Sequence, residues 1–169
     1  MNVEFIHIVA AIGVGIGATL VMDLWSLFLK RTFNIPAPNY CFVGRWLRHM
    51  PQGTFRHDSI AAAARKPAEC IVGWIAHYAT GIVFALVLVL LVSPRWLQEP
   101  TLLPAMVLGL ATVAAPLFVM QPSFGLGFAG SKTPDPMQTR LRSLMNHAVF
   151  GLGLYISALA LSLVFNAYS

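Results

Sequence analysis

Four long stretches almost free of charge constrain this chain more than any other feature. Residues 5–29, 67–92, 104–120 and 142–165 are apolar runs, and most approach the roughly 20 residues that a helix needs to cross a bilayer core. Asp23 is the one carboxylate in the first run, and the third has no charge at all. Water is a poor solvent for such a chain. Hydrophobic residues make up 57% of it and charged residues only 10%, with a mean hydropathy of +0.72, whereas a soluble domain carries roughly 25% charge. The runs use most of the 169 residues and predict an all-α integral membrane protein. It is expected to be a single transmembrane domain over residues 1–169, with four transmembrane helices in a bundle.

The boundaries follow from local chemistry. Pro67 suits a first helical turn, where its missing N–H costs nothing. Pro116 predicts a kink and Pro122 a stop. The entry to the fourth span falls between Pro136 and Leu144, and is taken at 142. The first run lacks the basic amino-terminal region and cleavage site of a secretory signal and is too long for a signal's apolar core, so it is expected to be retained.

Orientation follows from Lys and Arg, which short cytoplasmic loops retain. Lys30, Arg31, Arg45, Arg48, Arg56, Arg65 and Lys66 lie between spans one and two, and Lys132, Arg140 and Arg142 between spans three and four. Only Arg95 lies in the loop between spans two and three. Loops 30–66 and 121–141 are therefore expected in the cytoplasm and both termini on the non-cytoplasmic side. The net charge of +5 sits beside apolar spans, which argues for anionic lipid headgroups and against nucleic acid. Lys30, Arg31, Arg45, Arg48, Arg65 and Lys66 are the expected headgroup contacts.

Within the first basic loop, Phe42, Val43, Trp46, Leu47 and Met50 share a helical face opposite Arg45, Arg48 and His49, predicting a short interfacial helix. Ser59 to Lys66, after Asp58 as a cap, predicts a second short helix. The Pro- and Gly-rich stretch from Gln121 to Pro136 predicts an irregular loop. Glu69 is expected to serve the helix dipole or a local ion pair with Arg65 or Lys66. Cys41 and Cys70 fall beside the cytoplasmic segment outside any C-x-x-C pair, and no disulfide is expected between them.

Polar residues inside the spans are the candidate site. Gly73-x-x-x-His77-x-x-x-Gly81 and Ser143-x-x-x-His147-x-x-x-Gly151 have the same design and suggest two helical hairpins in parallel repeat. The first span has its own version in Gly15-x-x-x-Thr19-x-x-x-Asp23. Four-residue spacing puts each trio on one helix face, with Gly15, Gly73, Gly81 and Gly151 as packing positions. Asp23, His77, His147 and Thr19 form the candidate intramembrane polar site, since an acid at this depth normally faces the protein interior and pairs. Asp23, His77 and His147 together have the lone pairs for a proton relay or a transition metal. The two histidines alone have the chemistry for axial haem ligation. Against this, histidines between small residues commonly just bridge packed helices. His49, His57 and Asp58 form a weaker second cluster, without the spacing of a helical metal site.

Gly17-Ala18-Thr19-x-x-Met22-Asp23-x-Trp25, Gly73-Trp74-x-x-His77-Tyr78-x-x-Gly81, Ser131-Lys132-Thr133-Pro134-x-Pro136 and His147-x-x-Phe150-Gly151 make the chain resemble a bacterial family of small inner-membrane proteins of DUF2938 type, over nearly its whole length. The resemblance implies four spans in the inner membrane and brings no activity with it. Three functions are therefore carried forward. The first is a small transport or channel-like protein with an Asp/His point for a proton or cation, one that needs oligomers because four spans are few for a path. The second is a non-catalytic accessory or assembly subunit docking other membrane proteins. The third is a haem- or metal-binding protein. No catalytic motif is found, so no enzyme is expected, and the cofactor is left open.

Overall fold

The fold was obtained as a computed structural model and is described for residues 3–167, with side-chain exposure for residues 4–163. The helices are α1 (Val3–Phe33), α2 (Tyr40–His49), α3 (Glu69–Val92), α4 (Leu102–Ala111), α5 (Gln121–Ser123) and α6 (Pro136–Ala167). No strand occurs among the described residues. Four helical stretches are long and apolar enough to cross a membrane: Glu4–Phe33, Glu69–Val92, Leu102–Ser123 and Pro136–Leu163. The all-α architecture with four candidate spans agrees with the sequence.

Local chemistry sets the ends. Glu4 in the first turn of α1 and Lys30 and Arg31 in its last turn complement the helix dipole. Asn34 then takes a left-handed conformation (φ 54°), Ile35 N–H closes onto the Leu29 carbonyl, and Pro36 and Pro38 block continuation. Asn39 caps α2 by accepting from Cys41 N–H at 3.1 Å. α3 starts at Glu69, not at Pro67, because Ala68 is left-handed (φ 55°) and cannot continue a helix backwards. α6 starts at Pro136, six residues before position 142 (136 against 142), because Asp135 accepts from Gln138 N–H at 2.9 Å and proline suits the first helical position. Past α4, the third span turns at Thr112, and Pro116 lies in a π-helical stretch, Ala115–Met120. Pro116 has no N–H to give the α ladder, and the wider π turn accommodates it.

The chain forms two compact units. The first comprises residues 1–36, 78–112 and 146–169. Its core is made of Ala10, Ala11, Val14, Ala18, Ala85, Leu88, Val89, Ala105, Phe150, Leu154 and Ala158, with Trp96 and Leu97 from the short turn after α3. Small residues let the backbones approach. A Cβ on Gly15 would lie 2.5 Å from Ile82 Cα, and one on Gly109 would lie 2.5 Å from Gly151 Cα. Outward apolar side chains such as Leu90 and Leu103 are 82% and 73% exposed, as expected of a face that meets lipid.

The second unit comprises residues 37–77 and 113–145. Residues 57–60 pair with the end of α5 and the residue after it, through His57 N–H to Ser123 O and Ile60 N–H to Phe124 O. Gly125 (φ 84°) makes this possible, since a Cβ there would overlap the Asp58 carbonyl. The stretch expected to be irregular from Gln121 to Pro136 is helical over Gln121–Ser123 and irregular only from Phe124 on.

Candidate functional site

In the second unit, α2 presents Cys41, Gly44 and Arg45 on one face, and the first turns of α3 present Glu69, Cys70 and Gly73. The two backbones touch. A Cβ on Gly44 would overlap the Glu69 carbonyl, and one on Gly73 would overlap the Tyr40 carbonyl. One turn from that contact, Cys41 and Cys70, 29 residues apart, are joined by a disulfide. This corrects the expectation of no disulfide. A helix crossing makes the pairing, and the C-x-x-C rule does not reach cysteines on two different helices.

Arg45 is the centre of the same junction and only 4% exposed. Its Nε and Nη2 donate to the two carboxylate oxygens of Glu69, at 2.9 Å and 2.7 Å. Its Nη1 donates to the carbonyls of Ile60 (2.9 Å), Ala61 (3.1 Å) and Ala63 (3.2 Å). Lys66 N–H also donates to Glu69 Oε2 at 2.9 Å. The Glu69 carboxylate holds the guanidinium proton more tightly than usual, with burial opposing. Two expectations are corrected here. Ser59–Lys66 is one turn followed by irregular chain instead of a helix, and the carbonyls of Ile60, Ala61 and Ala63 converge on the one guanidinium instead of lining up along a helix axis. Arg45 is a buried structural cation instead of a headgroup contact, and it is the partner of Glu69. Lys30, Arg31, Arg48 and Arg65 are exposed, and Lys66 Nζ donates to Gln52 Oε1 at 2.7 Å.

Beside this junction, the rings of His49 and His57 lie edge to face at 4.9 Å. His49 Nε2 lies 3.0 Å from the Ala64 carbonyl, while His57 Nε2 is buried with no hydrogen-bond partner. Burial, then the positive charge of His49 and Arg45, lowers the affinity of His57 for a proton. His77 also belongs to this unit: its ring stacks on Tyr40 at 3.9 Å, with Trp74 edge-on at 5.8 Å.

The other candidate residues lie in the first unit. Tyr78 Oη donates to Asp23 Oδ2 at 2.9 Å. One turn away, Thr19 is buried and donates to the Gly15 carbonyl at 2.8 Å, and its hydroxyl occupies the space that a Cβ on Gly81 would need. In the matching α4–α6 contact, Thr112 Oγ1 donates to the Gly109 carbonyl at 2.6 Å and lies 2.8 Å from His147 Nδ1. When the hydroxyl gives its one proton to Gly109, it accepts from Nδ1–H of His147. Among the described residues, no three His, Cys, Asp or Glu side chains are grouped to hold a metal ion. Asp23 accepts from Tyr78, His147 lies against Thr112, and the His77 ring stacks on Tyr40.

A family model described as a protein of unknown function (DUF2938) matches residues 12–161. The chain belongs to the DUF2938 family. No curated protein and no solved structure matches it. The matched span of this DUF2938 chain contains both polar centres, the Asp23–Tyr78 pair and the Arg45–Glu69 junction. Sequence reasoning found Asp23, Thr19 and the two histidines but missed Tyr78, the Arg45–Glu69 pair and the cysteine pair. One signal was available: Cys41-x-x-Gly44 and Cys70-x-x-Gly73 repeat the spacing that two helices need to cross through a small residue.

Proposed function

We propose that this DUF2938 protein lies in the bacterial inner membrane with loops 30–66 and 121–141 in the cytoplasm, and acts there as a small, non-enzymatic transport or channel-like protein. Asp23 is its proton- or cation-binding group. The observation that carries the reading is the 2.9 Å hydrogen bond from Tyr78 to Asp23 within helices of spanning length. A carboxylate in such a place is costly to bury and is retained where it works. The Tyr78 hydroxyl donates to the carboxylate and so holds it in a fixed place between α1 and α3. The orientation rests on the asymmetry of Lys and Arg between the loops. Four spans are few for a path, so copies of the chain, or another membrane protein, complete it, with anionic headgroups on the basic side.

The test is dissipation of an imposed pH gradient in proteoliposomes, read by a trapped pH-sensitive dye. The wild type is expected to collapse the gradient faster than empty vesicles, Asp23→Asn to fall to the empty-vesicle rate, and Tyr78→Phe to change the rate while leaving the fold intact. Equal rates for wild type and Asp23→Asn would overturn this reading and leave the accessory-subunit role in its place.

A further inference from the structure

We infer that Cys41 and Cys70 form a thiol–disulfide exchange site that is a dithiol in the resting cell and closes by reaction with a low-molecular-weight disulfide. The inference rests on the orientation proposed above. Loop 30–66 carries seven Lys and Arg, which puts it on the side where thiols are kept reduced and where disulfides are transient and reactive. Yet these two cysteines, the only ones in the chain, are brought within bonding reach.

The fold holds them together without needing the bond. Gly44 and Gly73 seat the two backbones directly on each other, and the two-pronged Arg45–Glu69 pair ties the same turns. A cross-link superimposed on a contact already fixed in these ways can open and close while the helices stay in place. Access is unequal and suits exchange: Cys70 is exposed and Cys41 is half-buried. Cys70 therefore attacks first. Its thiolate displaces one thiolate from the incoming disulfide and forms a mixed disulfide at Cys70. The Cys41 thiolate then attacks Cys70 Sγ, forms the Cys41–Cys70 bond and expels the second thiolate. The two protons lost by the cysteines go to the two departing thiolates, and the two electrons reduce the incoming disulfide to two thiols.

Growing cells are quenched in acid and the protein is alkylated with a polyethylene-glycol maleimide, which adds a gel shift per free thiol. Two shifts are expected. Inverted membrane vesicles, which present the cytoplasmic face, are then incubated with glutathione disulfide. Both shifts are expected to vanish in the wild type, and Cys41→Ser is expected to stop at a glutathione adduct on Cys70. A pair already oxidised in growing cells, or two thiols that persist after glutathione disulfide with no adduct in Cys41→Ser, overturns the inference. A Ser59→Cys change in a cysteine-free chain separates the failure of orientation from the failure of exchange. Labelling of that residue by a membrane-impermeant maleimide in intact cells refutes the cytoplasmic placement itself, whatever the cysteine pair does.

Discussion

Arg45 engages Nε, Nη1 and Nη2 at once, and Glu69 accepts from both the guanidinium and the Lys66 backbone. Removing either partner leaves the other buried and uncompensated, which typically costs about 3–5 kcal/mol. Glu69→Gln is therefore expected to lower the thermal midpoint in detergent, followed by circular dichroism. The double change Arg45→Met with Glu69→Leu is expected to cost less than the sum of the single changes, and simple additivity would count against a coupled pair. None of this was legible in the residues. The sequence shows that Arg45 lies on a helix face and that Glu69 opens another helix, but the two are 24 positions apart. Asp23 was legible because a carboxylate in an apolar run is conspicuous by itself. Its partner Tyr78 was not, because a tyrosine in a span is commonplace.

At the scale of elements, glycines separate contact from open space. Gly13 has nothing within 4 Å of the position a Cβ would take, whereas Gly73 meets the Tyr40 backbone. Gly13→Ala is expected to be neutral or to add up to about 1 kcal/mol through helix propensity. Gly73→Ala is expected to pry α2 from α3, and the check is a lower thermal midpoint with faster proteolysis at residues 53–66. Spans were legible because length and hydropathy are properties of a single segment. The failure at Ser59–Lys66 has the opposite origin. Its alanines favour a helix, but five-donor Arg45 claims its carbonyls, and a tertiary contact overrides propensity. The fourth helix was placed late for a related reason: its polar first turns hid a start that Asp135 and Pro136 mark clearly once capping is given priority over hydropathy.

For the molecule as a whole, His57 ties folding to pH. Its proton affinity is lowered below the ordinary imidazole value of 6.5, so the unfolded chain binds the proton more readily. Stability then rises with pH between the folded-state value and 6.5, and is lost as pH falls through that window. The thermal midpoint is expected to drop on going from roughly pH 7.5 to 5.5, and His57→Gln is expected to flatten the dependence. An unchanged slope would assign it to another group. Of the global organisation, the all-α class and the four candidate spans were legible. The division into two compact units was not, because each unit gathers segments distant in the chain.

The Arg45–Glu69 pair also has a consequence in time. Synthesis delivers Arg45 24 residues before Glu69, so for that interval the nascent chain carries a bare cation just after its first apolar segment. Under the proposed orientation, this cation adds to the signal that keeps the loop from being translocated. Once α3 emerges, the same guanidinium is withdrawn from solvent and becomes part of the folded interior. Under that orientation one side chain serves biogenesis first and architecture afterwards, and a replacement at position 45 is expected to act at two separate stages of the protein's life.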